Sequence, residues 1–264
     1  MRELALRVPA AAAEEVLDEL LLLAPHGVIE VARGDEVELR VRGNAEREQV
    51  HAAGAAFGAR MHERDVPDDP QERRRFDYEP IVVADRLVVR PEWAPAAPAG
   101  LLDVVLADDS AFGVGTHPTT RMCLEALCAL QPSGAALDLG CGTGVLAIAA
   151  ALLGWEPVVA VDRSPEAIAA TRANAQRSGV RVDAREGDVA ALATTPAAVV
   201  LANVPLAAHH AIAAALDASP PVFIASGVQA PDADACARAY GAVGTTVVRS
   251  GWAALTLRPP ADRG

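Results

Sequence analysis

The first 65 residues switch between a hydrophobic repeat of two residues, typical of strands, and one of 3.6 residues, typical of helices. The pattern predicts, in order, a strand at 3–9, a helix at 10–23, strands at 27–33 and 36–42, a helix at 44–57 and a strand at 59–64. The turn Arg33-Gly34-Asp35 between the second and third strands indicates a hairpin. This β-α-β-β-α-β order predicts a small α+β domain of ferredoxin-like type over residues 1–65.

A polar, charged and proline-bearing segment follows at residues 65–79 and indicates a linker. A β-rich stretch at 81–92 comes next, and several prolines interrupt the chain after it. We therefore assign residues 66–99 to a linker and a β-rich segment that leads into a second domain.

From about residue 100 onward, apolar runs alternate with helical segments. The runs predict strands near 135–139, 157–161, 180–184, 197–202 and 221–225. The segments after them predict helices near 144–153, 165–178, 206–217 and 230–241. Because the strands are apolar throughout, both of their faces should be buried, which indicates an α/β fold with a parallel sheet covered by helices. Two more strands, at 244–250 and 252–258, predict an antiparallel hairpin at the edge of this sheet, within a second domain at 100–264.

The charge balance is acidic along the whole chain. The 264 residues include 23 arginines, no lysine and 35 acids, so the formal net charge is -12. Residues 1–100 hold 20 acids and 13 arginines, and residues 101–264 hold 15 acids and 10 arginines. Neither part offers the basic surface that phosphate backbones require, so we expect no direct nucleic-acid binding. Acids flank the cluster Arg73-Arg74-Arg75, which is typical of a solvated linker.

The cysteines and the apolar runs predict the compartment. Cys123, Cys128, Cys141 and Cys236 lack the C-x-x-C spacing of a zinc or redox site, so we expect no metal and buried thiols in a reducing compartment. Acids at positions 14, 15, 18 and 19 interrupt the N-terminal apolar run, which argues against a signal peptide. The apolar runs are shorter than the ~18–20 residues that span a bilayer, so we expect a cytoplasmic protein that does not bind membranes.

The strongest chemical signal is the sequence ALDLGCGTG at residues 136–144. An apolar strand leads into three glycines at alternate positions, and a predicted helix follows directly. Glycine permits a tight turn and lets a ligand approach the backbone, where the next helix presents free N–H groups. A dinucleotide-binding loop would have glycine at position 145, where this chain has Val145. The pattern therefore predicts a nucleotide-like ligand that is not a dinucleotide.

Two acidic residues follow the next two predicted strands. Asp162 ends the apolar strand Val158–Asp162, where a carboxylate can accept hydrogen bonds from ribose hydroxyls. Ser164 and Pro165 are typical of a helix N-cap and a first helical residue. Asp188 follows the third strand, in the sequence Glu-Gly-Asp. The Asp162 carboxylate should therefore lie at the ligand-binding edge of a parallel sheet.

Two further motifs narrow the function. The sequence AFGVGTHPTT at residues 111–120 precedes a predicted helix at 119–131, and its hydroxyls can cap that helix. The second motif, VVLANVPL, places Asn203 at the end of the fourth strand, where open α/β sheets bind their ligands. Asparagine is rare in this chain, and the other two are Asn44 and Asn174.

These motifs carry a family resemblance. The G-x-G-x-G pattern preceded by Asp138 resembles the first motif of class I S-adenosylmethionine-dependent methyltransferases, which have a Rossmann-like sheet. The sequences AFGVGTHPTT, LDLGCGTGVLAIAA, LANVPL and IASGV, together with Trp252, closely resemble the bacterial ribosomal protein L11 methyltransferase family. The resemblance covers most of residues 80–258.

The resemblance implies a cofactor, a substrate and a set of site residues. The cofactor is S-adenosyl-L-methionine, and the substrate is a basic ribosomal protein methylated on its amines. The implied cofactor-binding residues are Thr120, Gly140, Gly142, Asp162 and Asn203. Asp188 matches the region that faces the adenine, although a plain loop acid is the alternative. In the family, the small domain recognises the ribosomal protein; here that domain matches in predicted fold and position only.

The chain departs from the family pattern in three places. Val114 stands where the family usually has threonine, and Val204-Pro205 replaces the usual Ile-Leu after the asparagine. The segment before residue 80 is shorter and lacks a tryptophan-rich stretch. These departures affect the substrate prediction more than the cofactor prediction.

Asn203 is the predicted catalytic residue, because its amide or adjacent backbone could orient the nucleophile. No general base is evident: His117 is a candidate, but we favour a role at the start of its helix. His209 and His210 are predicted to lie at the surface or at the rim of the site. We expect a monomer. The alternatives are a class I methyltransferase for another protein side chain or a small molecule, and a non-catalytic cofactor-binding module.

Overall fold

The computed structural model describes residues 1–24, 28–43, 45–67, 81–107, 117–216 and 220–259, without the side chains of Asp18 and Ala32. The chain divides into two compact units, Met1–Tyr78 and Glu79–Gly264. Most of the predicted linker and residues 111–116 of the threonine-rich motif lie outside the described residues.

The first unit contains a four-stranded antiparallel sheet. Its elements are β1 (Arg2–Pro9), α1 (Ala13–Leu23), β2 (Val28–Arg33), β3 (Glu36–Arg42), α2 (Arg47–Ala55) and β4 (Arg60–Asp65). The sheet order is β2-β3-β1-β4, and Arg33 pairs with Glu36 across the predicted hairpin. Alternate residues of β1, among them Leu4 and Leu6, pack with Val16 and Leu20 of α1 in one apolar core. The element order is the one predicted, and the ferredoxin-like assignment of this unit stays a prediction.

The second unit begins with a small three-stranded sheet. Its strands are β5 (Ile81–Val83), β6 (Leu87–Pro91) and β7 (Leu102–Leu106). Strand β5 pairs antiparallel with β6, and β6 pairs parallel with β7. The sequence pattern predicted the first two strands but missed β7.

The main sheet of the second unit has seven strands. They are β8 (Ala136–Leu139), β9 (Val158–Asp162), β10 (Asp183–Glu186), β11 (Val199–Asn203), β12 (Val222–Gln229), β13 (Val243–Arg249) and β14 (Trp252–Arg258). The helices are α3 (Pro118–Cys128), α4 (Val145–Leu153), α5 (Pro165–Arg177), α6 (Leu206–Ala215) and α7 (Ala233–Ala239). The strand order is β10-β9-β8-β11-β12-β14-β13, with β8 to β12 parallel and the last two strands antiparallel.

Helices cover both faces of this sheet. One apolar core joins Leu124 of α3, Ile148 of α4 and Ile168 of α5 to the strands, and the other joins Ile212 of α6 and Cys236 of α7 to them. All four cysteines are free and buried, as the sequence predicted. The predicted Rossmann-like α/β class is therefore confirmed. Among the residues that the structure describes, no helix is long and apolar enough to cross a membrane.

The strand order fixes where a ligand can bind. From β8 the chain continues to β9 and β10 on one side, and then returns past β8 to form β11 on the other side. The connections after β8 and β11 therefore diverge, which opens a crevice at the carboxyl ends of these two strands. Gly140 directly follows β8, and Asn203 ends β11.

Candidate functional site

Two adjoining cavities open at the carboxyl ends of β8 and β11. The first has a volume of about 420 Å³, and its walls include Thr120, Asn203 and Trp252. The second has a volume of about 500 Å³, and its walls include Asp162 and Asp188. Their shared wall residues are Gly140, Val204 and Pro205. All the predicted site residues therefore line one elongated crevice. A further cavity of about 420 Å³, beside Trp155 at the opposite end of the sheet, contains none of them.

Gly140 and Gly142 of the glycine loop have different surroundings. Gly140 has a φ of 80°, and a Cβ atom there would lie 2.5 Å from Val204 Cγ1, so only glycine fits against β11. Gly142 has a φ of 54°, and a Cβ atom there would meet nothing within 4 Å. The first glycine therefore serves internal packing, whereas the second faces open space in the crevice wall.

Helix α5 holds the glycine loop from behind. The Thr171 hydroxyl donates to the carbonyl oxygen of Gly142 at 3.1 Å, and Asn174 Nδ2 donates to that of Thr143 at 3.0 Å. Asn174 Oδ1 accepts the N–H of Ala107 at 2.9 Å, just after β7. Sequence reasoning counted Asn174 among the rare asparagines but gave it no role. The sequence feature that could have indicated this role is the spacing of three residues between Thr171 and Asn174. This spacing puts both polar side chains on the buried face of the helix.

The Asp162 carboxylate ties the glycine loop to the start of α5. Its Oδ2 accepts the N–H of Gly142 at 3.0 Å, and its Oδ1 accepts the N–H of Ser164 at 3.0 Å. Ser164 caps α5 by accepting the N–H of Ala167 at 3.1 Å, which confirms the predicted cap. Each carboxylate oxygen can accept a second hydrogen bond, so Asp162 can still receive ribose hydroxyls from the cavity that it lines.

Asp188 lines the same cavity and also stabilises a turn. Its Oδ1 accepts the backbone N–H groups of Ala190 at 2.9 Å and Ala191 at 3.2 Å. The side chain is exposed at the cavity wall. Asp188 is therefore a loop acid that borders the crevice, and its predicted contact with the adenine stays a prediction.

Thr120 and Asn203 meet at the other end of the crevice. Asn203 Nδ2 donates to Thr120 Oγ1 at 3.2 Å. Thr120 is 3% exposed, in the first turn of α3, while Asn203 is half-buried. Because the amide nitrogen of Asn203 binds Thr120, its carbonyl oxygen is the side-chain atom left to accept from a ligand.

His117 begins α3, as the sequence favoured. Its Nδ1 lies 2.7 Å from Thr119 Oγ1 and accepts the N–H of Thr119 at 3.4 Å, so the ring acts as the N-cap. The ring also packs edge-on against Trp252, with centroids 5.0 Å apart. These contacts leave His117 in the wall of the first cavity as a structural neighbour of Thr120.

A buried carboxyl group lies beneath the glycine loop. Asp138 is 1% exposed; its Oδ2 accepts the N–H of Ala147 at 3.1 Å, and its Oδ1 finds no hydrogen-bond partner among the described residues. Burial raises the pKa of Asp138 to about 7, against the Ala147 hydrogen bond and with a smaller contribution from the Asp162 charge. Burial, with Asp138 nearby, also raises the pKa of Cys141 to about 12, so that thiol stays protonated and is no nucleophile.

The residues fit the cofactor that the sequence predicts. The crevice has carboxylates at one end and hydroxyl and amide groups at the other, which suits a ribose and an amino-acid end. Among the described residues, its walls carry Asp162 and Asp188 against one cation, Arg163. This charge balance suits a positively charged ligand better than a diphosphate. Within the described ranges, no group of three or more His, Cys, Asp or Glu residues could hold a metal ion.

The prediction for His209 was wrong. His210 is exposed, as predicted, but His209 is completely buried at the start of α6. Both of its ring nitrogens find partners inside the protein, Tyr240 Oη and the carbonyl oxygen of Ser226, each at 2.8 Å. A histidine can be buried when both of its ring nitrogens are hydrogen-bonded, and no local sequence pattern indicates these distant partners.

Comparison with known proteins identifies the family. The family model described as "Ribosomal protein L11 methyltransferase (PrmA)" matches residues 44–259, which is most of the chain. A relative of this name from Geobacter metallireducens is 43% identical over 138 residues, which is 49% of this chain but only 44% of the relative. A relative from Klebsiella pneumoniae (strain ATCC 700721 / MGH 78578) is 34% identical over 230 residues, covering 81% of this chain and 75% of the relative.

A solved structure supports the same fold. The crystal structure of ribosomal protein L11 methylase from Lactobacillus delbrueckii subsp. bulgaricus matches with a TM-score of 0.61 and 24% identity, over 69% of this chain and 100% of that one. The aligned region covers less than half of the first two matched relatives, at 44% and 46% of their length. On the extent of the family match, the chain belongs to the ribosomal protein L11 methyltransferase family, and S-adenosyl-L-methionine is its cofactor.

Proposed function

We propose that the chain methylates amino nitrogens of ribosomal protein L11, chiefly lysine ε-amines, with S-adenosyl-L-methionine as methyl donor. The observation that carries this proposal is the contact between Thr120 and Asn203 at one end of a crevice whose other end bears Asp162 and Asp188. Family membership supports L11 as the substrate, and the crevice geometry supports a shared site for the cofactor and the acceptor amine.

The cofactor-binding roles follow from the polar groups along the crevice. Asp162 and Asp188 would bind the ribose and adenine, since their carboxylates line the second cavity. Thr120, Gly140 and Gly142 would hold the amino-acid end, where the loop leaves open space beside Gly142. When bound, S-adenosylmethionine supplies an electrophilic methyl group on a positively charged sulfur.

Asn203 would orient the attacking amine. A lysine ε-amine must lose a proton to expose its lone pair, which costs roughly 4–5 kcal/mol at neutral pH from its reference pKa of about 10.4. The apolar walls around Asn203, among them Val204 and Trp252, would reduce this cost because desolvation lowers the pKa of an amine. The Asn203 carbonyl oxygen would then accept an N–H from the neutral amine and direct its lone pair into the crevice. Alignment of the amine with the methyl group can lower the activation free energy by up to ~7–11 kcal/mol.

The remaining assignments are proposals of the same kind. Residues 1–65 would recognise the ribosomal protein, residues 66–99 would connect the domains, and residues 100–264 would carry the reaction. The acidic net charge of -12 suits a basic protein substrate and a cationic cofactor. We propose that the protein acts as a cytoplasmic monomer, without binding nucleic acid or membranes.

A label-transfer experiment tests the activity and the accepting group together. The full chain is incubated with methyl-labelled cofactor and purified L11, with L11 whose amines have been acetylated, and with a lysine-free control protein. Label on untreated L11 alone is the expected result. Label on acetylated L11 would exclude amines as acceptors, and no label on either form would contradict L11 as the substrate.

A further inference from the structure

We propose that His209 is a positioning residue for the segment Asn203-Val204-Pro205, which forms the wall shared by both cavities. The inference rests on the proposed function, because it assigns His209 to the support of Asn203. His209 is buried on α6, outside both cavities. In the proposed mechanism it neither binds the cofactor nor contacts the acceptor amine.

A neutral His209 ring satisfies both Ser226 and Tyr240 in one of its two tautomers. Its Nε2 lies 2.8 Å from the carbonyl oxygen of Ser226, which can only accept, so Nε2 carries the proton. Its Nδ1 lies 2.8 Å from Tyr240 Oη and accepts the proton of that hydroxyl. The neutral imidazole thus donates from Nε2 to the carbonyl oxygen of Ser226 and accepts at Nδ1 from the hydroxyl of Tyr240. Burial lowers the pKa of His209, which keeps the ring in this neutral form.

The carbonyl oxygen of Ser226 links His209 to the active-site segment. The same oxygen accepts the N–H of Val204 at 3.0 Å. Ser226 is also the register partner of Asn203 between β11 and β12, and its hydroxyl donates to the carbonyl oxygen of Ala253 at 2.7 Å. One carbonyl group, held by His209, therefore sets the direction that the backbone takes immediately after Asn203.

The packing around Val204 makes this direction matter for the crevice. A Cβ atom on Gly227 would lie 2.5 Å from the backbone oxygen of Val204, and one on Gly140 would lie 2.5 Å from its side chain. Val204 is therefore enclosed between β12 and the glycine loop. A change in the Ser226 carbonyl would shift Val204 within this narrow space and rotate the side chain of Asn203 away from Thr120.

Two substitutions separate positioning from simple support of the fold. In His209→Gln, the side-chain amide nitrogen reaches the place of Nε2 and can still donate to Ser226, whereas in His209→Asn it reaches only the place of Nδ1. Both put an amide of similar polarity in the same space. The neighbouring exposed residue provides the matched control, His210→Asn.

The expected result is a selective loss of turnover. His209→Asn should lower kcat by about 10–100-fold, the scale expected for a small misplacement of a reacting group, while His209→Gln should retain most of it. The cofactor dissociation constant, measured by calorimetry, should change far less than kcat, and His210→Asn should match the unmodified chain. Equal losses in the Asn and Gln variants, or full turnover in His209→Asn, would overturn the proposal.

A second measurement does not depend on activity. Hydrogen exchange at the Val204 amide is compared with exchange at Leu201, inside β11, in each variant. The inference is supported if exchange at Val204, relative to Leu201, becomes faster in His209→Asn but not in His209→Gln. Equal Val204-to-Leu201 exchange ratios in the two variants would overturn it. This test holds even if the unmodified chain transfers no methyl group and the proposed function fails. If the His209 variants do not fold, Tyr240→Phe, which removes one hydroxyl, should give the same exchange pattern to a smaller degree; an unchanged pattern would overturn the inference.

Discussion

The side-chain amide of Asn203 donates to Thr120 Oγ1 at 3.2 Å and so joins the end of β11 to the first turn of α3, 83 residues earlier in the chain. Because Nδ2 is used in this contact, the carbonyl oxygen of Asn203 has a fixed direction. In the proposed mechanism, Thr120 would therefore act on the acceptor amine through Asn203, in addition to any contact that it makes with the cofactor.

A double-mutant cycle tests this relationship. Asn203→Ala should lower kcat by about 100-fold at saturating cofactor, because the amine loses its orienting group. Thr120→Val should lower kcat by about 10-fold or less, the equivalent of one neutral hydrogen bond. If Thr120 acts through Asn203, the double variant should be no slower than Asn203→Ala alone. Thr120→Ser, which keeps the hydroxyl, is the control, and multiplicative losses in the double variant would contradict the coupling.

Asp162 should determine cofactor affinity. Asp162→Ala removes the proposed ribose acceptor and also leaves the N–H groups of Gly142 and Ser164 without their partner. We expect cofactor binding to fall below detection by calorimetry, while the circular dichroism spectrum keeps its native form. Asp183→Ala, an exposed acid on the neighbouring strand β10, is the matched control. Unchanged affinity in Asp162→Ala would remove Asp162 from the cofactor site.

The sequence predicted β8, β9, β11 and β12 because their apolar runs are continuous and are separated by distinct helical segments. Gly140, Asp162 and Asn203 were predictable for the same reason, since each stands where a strand of an open α/β sheet ends. The edge strand β10 lies at Asp183–Glu186 rather than at 180–184 and is mostly exposed, so the expected burial of both faces was wrong for this strand. Strand β7 was missed: it is short, contains Asp103, and pairs with β6 in a separate sheet, so its pattern stands out little from the loop around it.

Contacts between distant segments were beyond the sequence. The Thr120–Asn203 pair and the Asn174 bridge to Ala107 depend on which elements the topology brings together. The burial of His209 depends on Ser226 and Tyr240, which lie 17 and 31 residues away. A local pattern can place a polar residue on a helix, but it cannot identify the partner that permits its burial.

Gly142 and Gly179 allow the cofactor role of the loop to be separated from backbone strain. Both have positive φ, 54° and 70°, and a Cβ atom at either would meet nothing within 4 Å. Alanine at each should therefore cost a similar ~1–2 kcal/mol of folding free energy, from the left-handed backbone alone. Only Gly142→Ala projects a methyl group into the crevice, so only this variant should weaken cofactor binding. The expected loss of affinity is tenfold or more, because overpacking costs ~1–3 kcal/mol. Comparable affinities in the two variants would place the cofactor elsewhere.

Asp138 should make the stability of the protein fall as pH rises towards neutrality. Its pKa is about 7 in the folded protein, above the ordinary value of 3.8, so the unfolded chain releases this proton at a lower pH than the folded one. Between these two values, each pH unit should lower the free energy of unfolding by up to ~1.4 kcal/mol from this group, and the effect should level off above pH 7 at no more than about 4 kcal/mol. Asp138→Asn removes the titration while keeping an oxygen for the N–H of Ala147. In urea unfolding at pH 5, 6, 7 and 8, the stability of Asp138→Asn relative to the unmodified chain should therefore rise with pH. The exposed control Asp183→Asn should show no such trend. Parallel curves of stability against pH for Asp138→Asn and the unmodified chain would mean that Asp138 is already ionised in the folded protein at pH 5.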